Sequence, residues 1–120
     1  MRGLVTTLAW LGLVGASTAC SSRESQGATD LTALGDQTFG DICARCHGQD
    51  GRGGLPLTAG GPRPRDFADS TWQGSRTDAE LVAIIRAGKP PMPAFGTLLS
   101  PSQLDAVVAK IRRIGREARK

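Results

Sequence analysis

The segment 43–47, Cys-Ala-Arg-Cys-His, constrains this chain more than any other part of its sequence. Two thiols three positions apart, with an imidazole directly after the second, form the attachment pattern of a c-type haem. The two cysteines can add to the vinyl groups on one edge of a porphyrin, and the next residue then lies where its imidazole can bind the iron. A chain with this motif is expected to fold around a large apolar ring.

Three other interpretations of the motif compete with haem attachment. The residues could meet in this spacing by chance. A CxxC redox pair is expected near a βαβ pattern, and the sequence downstream shows no such alternation. A zinc site needs four ligands, usually in two pairs, but outside the motif the chain has no other histidine and one other cysteine, Cys20. The haem interpretation is therefore favoured.

Residues 1–19 have the pattern of a secretory signal peptide. A positive start at Arg2 precedes an apolar run over 4–16, and small residues follow at Ser17 and Ala19. The run is too short for a comfortable membrane span, although an uncleaved anchor helix is the alternative. Export agrees with the haem motif, because bacterial c-type haem is attached outside the cytoplasm.

Cleavage after Ala19 would make Cys20 the first mature residue, as in a bacterial lipoprotein whose cysteine is acylated. Ser17 stands where such signals usually carry an aliphatic residue, and the alternative is ordinary cleavage that leaves a free thiol. An exposed odd thiol is a liability in an oxidising compartment, so we predict lipidation and a membrane-tethered, periplasmic location. Residues 20–29 are predicted to be a flexible tether, and 30–120 a single domain.

The first helix of that domain is predicted over 31–45, where apolar residues recur on one face and the helix ends in the haem motif. Gly35 lies four residues before Phe39 and leaves a flat spot beside an aromatic side chain. Residues 48–69 are rich in glycine and proline and are predicted to be a loop. Such a long loop in a small domain needs an organiser, and a haem face would be one.

Two further helices are predicted. The second covers 78–87, between a capping box of Thr77 and Glu80 and a stop at Gly88. The third begins after Ser100. With no convincing strand in the sequence, the predicted fold class is all-α, with about three main helices and long Gly/Pro-rich loops around one covalently bound haem.

The end of the third helix is basic. Its cations are Lys110, Arg112, Arg113, Arg116, Arg119 and Lys120. In one interpretation they complement the negative end of the helix dipole and belong to a solvated tail. In the other they dock an acidic redox partner or anionic lipid. Nucleic-acid binding is poorly supported, because no dense basic run carries interleaved aromatics.

Met92 is the one methionine that remains once Met1 leaves with the signal peptide. Pro90, Pro91 and Pro93 surround it, and each fixes φ and lacks an N–H, so the thioether would be presented at a fixed point. Loop packing is the alternative, but the upstream motif favours an axial ligand to iron. The chain offers no second histidine and no tyrosine for that position, and a soft sulfur ligand raises the reduction potential.

Over nearly the whole predicted domain, the chain resembles the class I (monohaem) cytochromes c. Cys43, Cys46 and His47 match the attachment site of that family, and the segment Met-Pro-Ala-Phe that begins at Met92 resembles the loop carrying its distal ligand. The resemblance implies a small cytochrome c-type fold with one haem c. Thioethers to Cys43 and Cys46 would hold that haem, and His47 and Met92 would bind the iron from opposite sides.

The predicted helices resemble the family as well. Gly35 and Phe39 are similar to a glycine–aromatic pair at which the C-terminal helix crosses the first helix. The family often has an aromatic where Lys110 falls here, so this contact is expected to rest on Val107 and Ile111.

The loop after the motif resembles a Pro-rich loop of bacterial members, through residues 64–67 and Trp72. In the family, a proline carbonyl accepts the Nδ1–H of the proximal histidine. Spacing leaves three candidates for this acceptor: Pro56, Pro62 and Pro64.

The sequence therefore predicts an electron-transfer protein and not an enzyme in its own right. It would shuttle single electrons in a periplasmic chain between redox partner proteins, which would offer acidic docking surfaces. With both axial positions filled, the iron has no open site for a substrate. Two alternatives are an obligate haem subunit of an oxidoreductase complex, and a gas or redox sensor in which Met92 dissociates.

Overall fold

The computed structural model describes residues 21–120, so the predicted signal peptide and Cys20 lie outside the described residues. The described chain is helical, and its one β-bridge, between Lys89 and Met92, is isolated. This confirms the all-α fold. The elements in chain order are α1 (Ser21–Thr38), a π-helical turn (Phe39–Cys43), α2 (Ala44–His47), α3 (Ser70–Gly74), α4 (Asp78–Ala87) and α5 (Pro101–Glu117).

Helix α1 begins at Ser21, well before the predicted start at Leu31. Residues 21–29, for which we predicted a flexible tether, are therefore helical in the structure. Polar composition suggested a tether, but serine, arginine, glutamate and glutamine are all compatible with a helix. The Thr32 hydroxyl also donates to the Ala28 carbonyl one turn back, at 2.9 Å.

A π-helical turn joins α1 to α2, and hydrophobic periodicity did not predict it. The Ala44 N–H donates to the Phe39 carbonyl, five residues back instead of four. The turn therefore inserts one residue and rotates α2 relative to α1. Such insertions recur at functional sites, and this one ends at Cys43, the first cysteine of the motif. Helix α2 then ends at His47, and its C-cap is Gly48, whose φ of 80° favours glycine.

Gly35 is where α1 crosses α5. A Cβ atom at Gly35 would lie 2.4 Å from the Ala106 carbonyl oxygen, so the two backbones touch without a side chain between them. Phe39, one turn further along, is 1% exposed. The glycine–aromatic contact expected from the resemblance is present.

Lys110 takes a direct part in this crossing. Its Nζ lies 2.7 Å from an Asp36 carboxylate oxygen and 6.0 Å from the centroid of the Phe39 ring. Arg113 also pairs with Asp36. The hydrogen bond from Lys110, more than any other interaction, lowers the pKa of Asp36, so this carboxylate is ionised near neutrality. Val107 and Ile111 are buried as expected, and Lys110 adds an ion pair and a cation–π contact.

Helices α4 and α5 begin where the sequence predicts. Thr77 with Glu80, and Ser100 with Gln103, each form a complete capping box. The short helix α3 was not predicted, since five residues carry too little periodicity. Its N-cap is Asp69, whose side chain accepts the N–H groups of residues 71 and 72.

The loop 48–69 is organised by hydrogen bonds to the end of α2 and within itself. The Gly53 N–H donates to the His47 carbonyl at 2.9 Å, and the Phe67 N–H donates to the Gly51 carbonyl at 2.8 Å. Gly53 has a φ of 97°, and a Cβ there would lie 2.5 Å from the Pro64 carbonyl oxygen. The two arms of the loop therefore pack backbone to backbone, which brings its return arm beside His47.

The helix crossing yields the first prediction. Gly35→Ala should lower the free energy of unfolding by about 1–3 kcal/mol, because the new Cβ must push apart two packed backbones. Gly40→Ala is the matched control, since a Cβ at Gly40 meets nothing within 4 Å. The control should be neutral or stabilising by up to about 1 kcal/mol. Denaturant titration of both variants measures the free energy of unfolding. Equal losses of stability in the two variants would contradict the close crossing at Gly35.

Candidate functional site

A cavity of about 690 Å³ lies between the haem motif, the loop 48–69 and α4, with α5 closing one side. Its volume falls within the range of small-molecule and cofactor sites. The structure brings Cys43, Cys46, His47 and Met92 to this one cavity. They are the four cavity residues that the sequence predicts to bind a cofactor. Three come from the haem motif, and Met92 comes from a segment far along the chain.

The two cysteines of the motif are half-buried free thiols. Burial, and to a smaller extent the neighbouring Cys46, raise the pKa of Cys43 to about 11. A reactive CxxC pair needs the opposite, a nucleophilic cysteine whose pKa is lowered. The surroundings of Cys43 therefore do not favour thiol–disulfide exchange.

The ring of His47 is fixed at one nitrogen. Its Nδ1 lies 3.2 Å from the Arg65 carbonyl oxygen, which can only accept, so the Nδ1 atom carries the proton. Burial lowers the pKa of His47, and the hydrogen bond to Arg65 opposes this only in part. The neutral imidazole thus leaves the Nε2 lone pair for a metal ion, with the backbone acting as the orienting partner.

The acceptor corrects a prediction. We expected the carbonyl of Pro56, Pro62 or Pro64, whereas the acceptor is the carbonyl of Arg65. The Pro64 carbonyl is turned toward the opposite arm of the loop, where the backbone of Gly53 lies against it. Which carbonyl faces His47 depends on how the two arms of the loop pack, and not on local spacing. The sequence alone therefore could not identify the acceptor.

The face of the His47 ring is covered by Phe67, a contact that the sequence did not reveal. The two rings are stacked, with centroids 4.5 Å apart and planes inclined by 20°. Phe67 also packs against Trp72, with ring centroids 5.4 Å apart, and the Arg65 guanidinium carbon lies 5.7 Å from the centroid of the Trp72 ring. Residues 65–72 therefore form an aromatic support beneath the histidine.

Met92 is held at a tight turn. Its N–H and C=O both pair with Lys89, at 2.8 and 3.0 Å. Gly88 comes directly before this turn with a φ of 74°, and a Cβ there would lie 2.7–2.9 Å from backbone atoms of residues 92–94. The Phe95 N–H donates to the Ile85 carbonyl at 3.0 Å, which ties the far end of the segment to α4. The methionine is half-buried and packs against the core.

The cavity suits an apolar ring with acidic substituents. Aliphatic and aromatic side chains from α4, α5 and the π-helical turn form its walls. Its charged members are Asp41 and five cations: Arg45, Arg63, Arg65, Arg76 and Lys89. Two thiols, an imidazole and a thioether border it, and this donor set fits a porphyrin iron with covalent side groups. In the part of the chain from 21 to 120, no three His, Cys, Asp or Glu side chains are grouped to hold a metal ion.

Comparisons with known proteins agree with this chemistry. Residues 30–109 match the family model described as cytochrome c oxidase, cbb3-type, subunit III. The chain is 30% identical over 95 residues to the cbb3-type cytochrome c oxidase subunit FixP of Azorhizobium caulinodans, and 34% identical over 86 residues to that of Rhizobium etli. These alignments cover 78% and 71% of this chain but 31% and 28% of the relatives, so the chain spans about a third of their length.

A solved structure is also similar. The protein described as KustC0563 c-type cytochrome shares 32% sequence identity, with a TM-score of 0.56 over 67% of this chain and 95% of that one. The family match covers more than half of the chain and includes the haem motif, the Met92 turn and every cavity-lining residue except Ile111. The chain therefore belongs to the cytochrome c family described as cytochrome c oxidase, cbb3-type, subunit III.

Proposed function

We propose that this domain is a one-electron carrier in which Cys43 and Cys46 hold one c-type haem, and His47 and Met92 bind its iron axially. Membership of the cytochrome c family supports haem-based electron transfer as the activity. The observation that carries the finer assignment is the cavity, which brings these four side chains together between apolar walls. One CxxCH motif and one histidine support a single haem.

The chain's own residues have separate roles in this proposal. When bound, the haem supplies an iron that gains or loses one electron. Cys43 and Cys46 would hold the haem covalently, each by adding its S–H across a vinyl C=C, with sulfur on one carbon and hydrogen on the other, so attachment would need no oxidant. His47 is oriented by the Arg65 carbonyl and would bind the iron through Nε2. Met92 supplies a soft sulfur, which favours the reduced iron and raises the reduction potential.

The same arrangement favours electron transfer over catalysis at the iron. Two protein ligands leave no open position for a substrate, and an apolar lining limits access by water. A second candidate function is that of an obligate haem subunit in an oxidoreductase complex. The FixP relatives favour it, because each of them is an oxidase subunit by its description.

The exposure of the cations supports a proposal for the surface on which a redox partner would dock. Lys110, Arg112 and Arg113 pair within the domain, and their side chains are only 19–23% exposed. They contribute little to an external docking surface. Arg45 and Lys89 are exposed and line the cavity. Arg116, Arg119 and Lys120 at the end of the chain are exposed as well, but Arg45 and Lys89 lie beside the proposed haem. We therefore propose the edge of the cavity as the surface on which the acidic partner docks.

The proposed location is periplasmic, with a lipid at Cys20 after removal of residues 1–19. Between residues 21 and 120, no helix is long and apolar enough to cross a membrane. Helix α1 begins at Ser21, directly after the proposed lipid site. Residues 21–29 would thus join the lipid at Cys20 to the domain 30–120 through a helix.

Met92→Ala should abolish the weak long-wavelength sulfur-to-iron absorption band of the oxidised protein, and should let the reduced protein bind carbon monoxide. Gly88→Ala should weaken the band in part, because a positive-φ alanine costs about 1–3 kcal/mol and its Cβ displaces the Met92 turn. Gly74→Ala is the control, since a Cβ there meets nothing within 4 Å. A band absent from the wild type, or retained in Met92→Ala, would contradict distal ligation by Met92.

Cys46→Ala should leave one thioether at most, since only the Cys43 sulfur remains to add to a vinyl group. The absorption of the alkaline pyridine complex distinguishes one reacted vinyl group from two, and mass spectrometry locates the haem-bearing peptide. Cys20→Ser is the matched control and should retain both thioethers. Two thioethers in Cys46→Ala would refute the assignment.

Metabolic labelling with a fatty acid tests the lipid anchor. Wild-type protein should carry the label and sediment with membranes, whereas Cys20→Ser should be unlabelled and released in soluble form. Haem content should be equal in the two, because the anchor lies outside the cavity. An unlabelled wild-type protein would refute lipidation without affecting the haem assignment.

A further inference from the structure

Two residues of one segment restrain the His47 imidazole from different directions. The Arg65 carbonyl lies 3.2 Å from Nδ1, and the Phe67 ring covers one face of the imidazole with a centroid separation of 4.5 Å. A hydrogen bond at one edge fixes where that edge points but leaves the ring free to rock. A stacked aromatic of nearly parallel plane opposes that motion, since tilting either ring loses their contact.

Phe67 is itself held from α3. The Gln73 Nε2 donates to the Phe67 carbonyl at 2.8 Å and to the Ile111 carbonyl at 2.9 Å, so one amide group ties Phe67 to α5. Gln73 is 7% exposed, and both carbonyls would lose this buried donor if the amide were removed. A Cβ at Gly115 would lie 2.6 Å from the Gln73 side chain, so α5 leaves room for this amide only because residue 115 is glycine.

Arg112 decides which way the Gln73 amide points. Its Nη1 donates to the Gln73 side-chain oxygen at 2.8 Å and to the Gln73 backbone carbonyl at 2.7 Å. A guanidinium can only donate, so the amide oxygen must face Arg112 and the amide nitrogen must face the two carbonyls. Asp78 accepts from Arg112 Nε at 2.7 Å and keeps the guanidinium in place. Arg112 of α5 thus contacts Gln73, Gln73 contacts Phe67, and Phe67 contacts the His47 ring.

We propose that Phe67 is a positioning residue that sets the orientation of the His47 imidazole plane, and that Gln73, oriented by Arg112, sets the position of Phe67. This inference rests on the proposed ligation of the haem iron by His47 and is independent of Met92. The plane of an axial imidazole determines how its π orbitals meet those of the iron. It therefore has spectroscopic signatures that a loss of stability alone does not produce.

The experiment compares the full-length holoprotein with Phe67→Leu, which keeps apolar bulk and removes the flat ring face. The readouts are the g values of the oxidised protein by electron paramagnetic resonance and the four haem methyl shifts by proton NMR. Rocking of a freed imidazole should narrow the spread of the methyl shifts and move the largest g value. Wild-type values for both readouts in Phe67→Leu would overturn the proposal.

Leu104→Ala is the control for a loosened core. Leu104 is 1% exposed and does not line the cavity, so its truncation should lower the melting temperature and leave both spectra unchanged. If Leu104→Ala shifted the spectra as far as Phe67→Leu does, the signature would report general loosening and the proposal would be wrong.

Gln73→Met keeps the Phe67 ring and removes the amide that holds Phe67 in place. This variant therefore tests the role of Gln73 separately. Its shifts should have the same direction as those of Phe67→Leu and be smaller. The double variant should go no further than Phe67→Leu alone, because Gln73 acts through Phe67. Additive shifts, or none in Gln73→Met, would overturn the role of Gln73. Failure of the proposed function is seen separately, as a wild-type protein without covalent haem or without a histidine-ligated spectrum.

Discussion

The close crossing of α1 and α5 at Gly35 holds the rest of the domain together. These helices stand at the two ends of the described chain, so their contact encloses every loop and ligand between them. It also places Phe39, Val107 and Ile111 along one side of the cavity. Lys110 and Arg113 add ion pairs to Asp36 around the contact, and partial burial of these cations makes such a network more effective than an exposed pair.

The two sides of the cavity are ordered by different means. Beside His47, backbone hydrogen bonds fold the loop 48–69 onto α2, and aromatic rings fill the space beneath the imidazole. Beside Met92, prolines restrict the backbone and Gly88 permits a close approach to α4. Both proposed ligands therefore have restricted positions before any electron moves. An electron carrier benefits from this, because a change of oxidation state then requires little rearrangement.

Local sequence signals predicted the parts of the fold that local interactions determine. Both capping boxes lie where their side chains require, and α4 and α5 begin at the expected residues. The haem motif and the Pro-bracketed Met92 identified side chains that the fold brings to one cavity. The π-helical turn, the Arg65 acceptor and the stacking of Phe67 on His47 were not predicted. Each depends on how distant segments pack, as when Gln73 joins the Phe67 and Ile111 carbonyls across α3 and α5.

The proposed function depends most on His47 and Met92 forming an axial pair across one haem in this cavity. Proton NMR of the reduced, diamagnetic holoprotein tests it directly, because the porphyrin ring current strongly shields a methyl group bound through sulfur above the iron. Ligation by Met92 predicts a three-proton resonance far upfield of the ordinary methyl region, assigned to the Met92 methyl group by selective labelling of methionine. A reduced wild-type spectrum without such a resonance, at a pH near neutrality, would contradict axial ligation by Met92.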